Sequence, residues 1–210
     1  MSFLEVYIIT FNCARNLIEP AVFGRHFFKA LPKDAPLPGL IVVSLQEIAP
    51  LAYALLGGAY VVPYFDRVVS SINIAAEHHS GVSSTYTKTF TAHVGLTGIL
   101  VFAKPEVAER IRWIQTAGVG VGLWEMANKG AVGMRMGYSL QRNDDEELEI
   151  TFVAAHLAPM EDAVERRNRD WENVVRGLVF SPDQKPQSLL DSGAGRQHAT
   201  ADGDTEPLLA

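Results

Sequence analysis

Along the first 180 residues, strand-length apolar segments alternate with polar turns; over the last 30 this pattern stops. Segments 4–11, 40–45, 86–94, 96–102, 131–140 and 148–155 are rich in Val, Ile, Phe, Thr and Tyr, side chains that pack well on a pleated, half-buried surface. The last two flank the polar run 141–147, which reads as a hairpin connection. Helical signals lie between the strands. Pro20 suits a first helical turn, where its missing N–H is no loss, and Val22, Phe23, Phe27, Ala30 and Leu31 follow at helical spacing. Pro159 reads as the opening of a second helix in which Val164, Trp171, Val175 and Leu178 form one apolar stripe. On that helix Asp162 with Arg166 and Glu165 with Arg169 are spaced for i,i+4 pairs.

Two stretches need separate treatment. Residues 48–65 are uncharged and about as long as a short membrane span, but Pro50, Gly57, Gly58 and Pro63 interrupt them, so a buried helix and loop is expected and no transmembrane segment. Residues 181–210 turn to Pro, Gly, Ser, Gln and Asp and hold too few large apolar groups to offset the entropy of ordering them. The expected organisation is a folded unit over 1–180 and a disordered tail over 181–210. Strands mixed with a few helices predict an α+β fold, built as a layered α/β arrangement.

Composition narrows the function. With 48% hydrophobic and 20% charged residues the chain is ordinary for a soluble globular domain. A net charge of -6 lacks the basic footprint of a nucleic-acid binder, so no nucleic-acid partner is expected and an anionic substrate must meet a local cluster of cations. Cys13 is the single cysteine, which excludes an internal disulfide and a cysteine-based zinc site and fits a reducing cytoplasm. The N-terminus has no basic n-region and does not read as a signal peptide.

Candidate chemistry gathers where strands leave the core. The first strand ends at Asn12, the second at Gln46-Glu47 and a late one at His156; period-two alternation puts His156 on the face of Ile150, Phe152 and Ala154, at the rim of the core. Singly, each has an ordinary explanation: a turn-forming Asn, a solvated Glu, a hydrogen-bonded rim His. Their context changes this. Thr10-Phe11-Asn12, Ser44-Leu45-Gln46-Glu47, Asn128-Lys129-Gly130-Ala131-Val132 with Arg135, and Ala155-His156-Leu157 followed by Glu165-Arg166-Arg167-Asn168 occur in this order. In that order the chain, from about Val6 to Trp171, resembles the inositol polyphosphate 5-phosphatases of the endonuclease/exonuclease/phosphatase superfamily. Phe11 stands where that family commonly has Trp, and Ala131 where a second Gly is usual.

The resemblance implies a layered α/β sandwich of the DNase I-like type and a Mg²⁺ cofactor. Glu47 would be the carboxylate ligand and Asn12 would bind or orient the metal and its waters; a hard cation that keeps several waters suits so sparse a donor set. His156 would hydrogen-bond the scissile phosphate and act catalytically. Asn128 and Lys129 would hold substrate phosphate, with Arg135 as a second cation, and a plain β-turn at Asn128-Lys129-Gly130 is compatible with that role. Glu165, Arg167 and Asn168 would support the site from the helix, Asn168 by fixing His156 or its loop. The implied activity is Mg²⁺-dependent hydrolysis of a phosphate monoester on inositol polyphosphates or phosphoinositides, in the cytoplasm or peripherally at membranes.

The family's later motifs, a Gly-Asp-x-Asn segment, a Pro-Ala-Trp-Cys-Asp-Arg-like segment and a closing His, are not found. Gly203-Asp204-Thr205-Glu206 imitates the first but lacks the Asn and a preceding apolar strand. The implied state is therefore a C-terminally truncated, incomplete catalytic domain with an exposed sheet edge. Two alternatives stay open: a nuclease of the same superfamily, disfavoured by the acidic chain, and a non-catalytic phosphoinositide-binding or partner-binding fragment. Residues 118–126 read as an apolar loop placed to touch a lipid tail or simply to pack down, and His78-His79 as adjacent side chains that diverge too far to share a metal.

Overall fold

A computed structural model describes residues 3–56, 58–81, 85–121, 129–140, 146–180 and the pairs 187–188 and 199–200. Its strands are β1 (Val6–Asn12), β2 (Leu40–Gln46), β3 (Thr87–Val94), β4 (Thr97–Ala103), β5 (Ile111–Val121), β6 (Lys129–Ser139), β7 (Glu147–His156), β8 (Gln187–Ser188) and β9 (Ala199–Thr200). The longer helices are α1 (Pro20–Phe27), α3 (Val62–Ser80) and α5 (Val164–Gly177), with short α2 (Leu51–Leu56) and α4 (Pro105–Ala108). One sheet runs β1-β2-β4-β3-β9 and the other β7-β6-β5-β8.

Alternation along the strands builds the layers. Leu40 and Val42 of β2, with Ile99 and Val101 of β4, point toward the second sheet and meet Val132, Met134, Met136 and Ala154 there. Their neighbours Ile41, Val43, Leu45, Leu100 and Phe102 point the other way, onto Phe27 of α1 and Phe65, Val68 and Ile72 of α3. A strand covered on both faces must be apolar throughout, which is why β2 and β4 read as unbroken hydrophobic runs. The outer face of the second sheet carries α5 through a smaller cluster of Val121, Ala131 and Val174. The order of layers is helix, sheet, sheet, helix, the layered sandwich that the sequence predicts. Gly24 allows α1 to lie close on α3, since a Cβ there would sit 2.8 Å from the Ser71 carbonyl oxygen.

Four features depart from the sequence reading. Pro63 does not break a helix; it occupies the first turn of the 19-residue α3, whose buried Phe65, Val68, Ile72, Ala75 and Ala76 follow helical spacing. Residues 118–121, read as loop, continue the 11-residue β5, because register with β6 satisfies a backbone whose glycines give no strand signal by themselves. The last helix starts at Val164 rather than Pro159, after a turn in which Met160 is left-handed (φ 77°). Three of the four residues of the expected stripe also lie outside: Val164, Trp171 and Val175 are each more than half exposed, while Leu178 packs against the cluster of Val121, Ala131 and Val174, and Asp170 is buried with Val174.

β1 and β7 are the outermost strands on one flank, where Val6, Ile8 and Val153 are exposed. On the other flank β8 pairs with β5 and β9 with β3; the rest of 181–210, including Gly203 to Glu206, lies outside the described residues. Among the described residues no helix is long and apolar enough to cross a membrane.

Candidate active site

Strand register brings the polar strand ends to one end of the sandwich. β1 and β2 are parallel and pair Asn12 with Gln46, so Glu47 follows directly beside the Asn12 turn. β6 and β7 are antiparallel and pair Gly130 with His156, which sets Lys129 beside the imidazole. Because β2 packs against β7 across the core, the two halves meet: Glu47 Oε1 lies 3.8 Å from His156 Nε2.

Local chemistry fixes each group. Gln46, 9% exposed, donates from Nε2 to Thr10 Oγ1 (3.1 Å) and Ser44 Oγ (3.0 Å), which ties the ends of β1 and β2. Phe11 packs edge-on against Phe23 of α1 with ring centroids 4.8 Å apart. Asn12 Oδ1 accepts from the Ala14 amide at 2.8 Å, and the Cys13 and Arg15 amides donate to the Gln46 and Glu47 carbonyls, both at 2.8 Å. These bonds hold Ala14, Arg15 and Glu47 in left-handed backbone at φ 49°, 63° and 49°, a conformation that costs a non-glycine residue about 1 kcal/mol or more. Glu47 also takes an ion pair from Arg15 Nε at 3.5 Å.

On the other sheet, Lys129 Nζ lies 2.5 Å from His156 Nε2. With the ammonium donating, Nε2 accepts and the ring proton sits on Nδ1, so the Glu47 carboxylate at 3.8 Å is a charged neighbour and not a hydrogen-bond partner. Burial pushes the Lys129 pKa below its ordinary value and Arg15 adds to this, while the Glu47 and Asp170 carboxylates oppose it. Burial, and then the charge of Glu47, push the Cys13 thiol up to about 12.

Other predicted residues fall elsewhere. Asn128 lies outside the described residues. Arg135 is not brought to Glu47 and His156: it is six residues along β6, about 20 Å away, donating to Thr151 Oγ1 (3.3 Å) with its guanidinium over Phe180. Glu165 and Asn168 are exposed on α5. Arg167 donates to the carbonyls of Ala158 (3.5 Å), Met160 and Glu161 (3.4 Å), and so ties down the segment after His156.

Two participants are absent from the sequence reading. Asp170, 5% exposed, accepts from the Ala158 amide at 2.8 Å, two residues beyond His156, and lies near enough to Lys129 to act on its charge. The signal was a lone acid after Arg166-Arg167-Asn168-Arg169, on the helix face that carries Val174. Arg15 has no sequence signal, since its direction depends on the left-handed turn.

The donors fit a divalent cation only of the hard, water-keeping kind. Among the described residues no group of three His, Cys, Asp or Glu could hold a metal by itself, which leaves Glu47 with the Asn12 carbonyl oxygen and solvent. The model of the endonuclease/exonuclease/phosphatase family 2 matches residues 9–206, nearly the whole chain and all of these strand ends. The chain belongs to this family. As a family member it is 22% identical over 181 residues to the phosphatidylinositol 4,5-bisphosphate 5-phosphatase INP51 of Saccharomyces cerevisiae, covering 85% of this chain and 18% of that protein. It is 35% identical over 107 residues to the phosphatidylinositol 3,4,5-trisphosphate 5-phosphatase 2B of Danio rerio, covering 50% of this chain and 8% of that one. Its fold matches the crystal structure of the inositol polyphosphate 5-phosphatase domain of SPsynaptojanin, in complex with inositol (1,4)-bisphosphate and calcium, at TM-score 0.67 and 20% identity. That match covers 90% of this chain and 49% of the solved one, so the family member spans about half of the solved domain and less than a fifth of the first of these relatives.

Proposed function

We propose that this end of the sandwich binds a phosphate monoester of an inositol phosphate or phosphoinositide beside a Mg²⁺ ion, as part of a 5-phosphatase-type hydrolase. The observation that carries it is the convergence, from both sheets, of the Glu47 carboxylate, the His156 imidazole and the Lys129 ammonium within hydrogen-bond or ion-pair distance. Its relatives' names, phosphoinositide 5-phosphatases of yeast and fish, support the same substrate class.

When bound, the metal would polarise a phosphoryl oxygen and neutralise charge on the leaving oxygen. Glu47 would hold it and Asn12 would orient its waters. Lys129 already has a lowered pKa from burial, so its ammonium gains from an arriving phosphate dianion. A phosphate drawing Lys129 away leaves His156 Nε2 facing the same oxygens, where a protonated ring donates a charge-assisted bond. Asp170 and Arg167 keep the segment after His156 from shifting as this exchange occurs.

Activation of the attacking water needs a further base. Among the described residues Glu47 is assigned to the metal and Asp170 accepts from the Ala158 amide. Phosphate binding and turnover are therefore separate questions, and each has its own measurement. The test titrates inositol 1,4,5-trisphosphate into the chain with Mg²⁺ by calorimetry, and measures phosphate release and plasmid nicking in parallel. Binding should weaken about tenfold or more in Lys129→Ala, the loss of one charge-assisted bond. Binding unchanged by both Lys129→Ala and Glu47→Gln ends the proposal, and plasmid nicking would favour the nuclease reading.

A further inference from the structure

Arg15 has a role that neither the family's motif order nor the site's symmetry supplies. Its amide is bonded to the Glu47 carbonyl, its Nε lies 3.5 Å from the Glu47 carboxylate, and its charge reaches Lys129. The turn that achieves this keeps two consecutive non-glycine residues, Ala14 and Arg15, in left-handed backbone. It is held there from several sides: Asn12 Oδ1 takes the Ala14 amide, Asn16 Nδ2 donates to the Ala14 carbonyl at 3.0 Å, and the Asn16 amide donates to the Cys13 carbonyl at 3.0 Å. Strain of this kind persists where its surroundings over-determine it, and here the result is a guanidinium laid against the Glu47 carboxylate.

We infer that Arg15 is a resident counter-ion of Glu47 that competes with the divalent cation for that carboxylate. The inference rests on the metal-binding reading of Glu47. A cation arriving at Glu47 must displace the guanidinium, which its half-exposed side chain allows, and the displaced Arg15 is then a free cation beside Lys129 at the edge of the anion site. Arg15 thus lowers the affinity for metal in the absence of phosphate and offers a bidentate partner once phosphate is present. The site is set to take metal and anion together rather than metal alone.

The test is the affinity for Mn²⁺ alone, measured by electron paramagnetic resonance in phosphate-free buffer. Arg15→Ala should bind Mn²⁺ about fivefold more tightly than the wild type, the upper range for an exposed ion pair. Arg166→Ala removes a charge that also reaches Lys129 but leaves the Glu47 ion pair intact, and should change the affinity by less than about twofold. Arg15→Gly is the second variant: glycine adopts φ 63° without a steric cost, so it keeps the turn if alanine does not, and it should tighten Mn²⁺ equally. Arg15 variants no tighter than the wild type or than Arg166→Ala overturn the inference, while loss of Mn²⁺ in Glu47→Gln shows in the same series that the metal reading stands. If neither the wild type nor the Arg15 variants bind Mn²⁺, the metal reading falls and takes the inference with it. Binding by the variants alone would be its strongest support.

Discussion

Lys104 and Arg110 at one end of the sandwich and Lys129 and Arg15 at the other are the same two residue types in opposite employment. At the first end a cavity of about 770 Å³ is lined by Leu4, Glu5, Gly39, Lys104, Glu106 and Arg110 among others. Its cations are committed to the backbone: Lys104 Nζ donates to the Leu37 carbonyl at 2.7 Å, and Arg110 donates to the carbonyls of Ser139 (2.8 Å) and Leu140 while its guanidinium lies over the Tyr138 ring. These donors bond main-chain carbonyls near strand ends. At the other end Lys129 faces an imidazole and Arg15 a carboxylate, and both partners are groups that a ligand can replace. What the cations are bonded to separates the two ends.

The largest expected effect that sharpens this contrast is at the structural end. Arg110→Ala removes partners from two carbonyls and a cation over a buried ring, and should lower stability by about 2–3 kcal/mol in urea unfolding. It should leave inositol trisphosphate binding unchanged. Lys129→Ala should do the reverse, with a stability change under about 0.5 kcal/mol, as for a partly exposed surface substitution. Binding lost in Arg110→Ala while the protein remains folded would erase the distinction between the two ends.

The contrast also explains what the sequence made legible. Asn12, Glu47 and His156 stand at the ends of strands whose alternation is plain, so their meeting needs only strand register, and register follows from the apolar faces. The layered fold was legible for the same reason, through β2 and β4. Arg15 was not, because its direction comes from φ values that neighbouring hydrogen bonds impose and no periodicity records. Asp170 was hidden by α5 itself: Val164, Trp171 and Val175 form the more apolar stripe, yet the face on the sheet carries a carboxylate that answers the Ala158 amide. An amphipathic pattern ranks faces by hydrophobicity, and here a single buried hydrogen bond outweighed it. Arg135 was expected as a second cation from the resemblance alone, and along a strand its six residues from Lys129 are a long way.

A smaller effect concerns pH. Burial lowers the Lys129 pKa in the folded state below the 10.5 of an unperturbed lysine, so between those two values the unfolded chain binds more protons and stability rises with pH. Below the folded-state value the full cost of the buried charge is present. Lys129→Met removes that cost, and the wild type should gain on it as pH rises from neutral toward 10.5, by a modest amount because the side chain is only part-buried and the Glu47 and Asp170 carboxylates oppose the shift. Parallel unfolding curves for both proteins from pH 7 to pH 10 check the sign. A wild type that loses ground as pH rises would mean that the carboxylates, rather than burial, govern Lys129.

The smallest effect tests whether the ligand end is as well held as the structural one. Cys13 lies inside the Asn12 to Asn16 turn, is 7% exposed, and has its thiol pushed up to about 12 by burial and then by Glu47. At pH 8 its thiolate fraction is then about one part in ten thousand, against roughly a quarter for an ordinary thiol, and the thiolate is the reactive form. A disulfide reagent should therefore label Cys13 only as the turn opens, with a rate that climbs in sub-denaturing urea. Glu47→Gln should quicken labelling slightly, since burial is the larger cause. Complete labelling within minutes in plain buffer would show that the turn opens freely; the left-handed backbone at Arg15 would then not be held, and the difference between a committed end and a poised end would reduce to a difference in order.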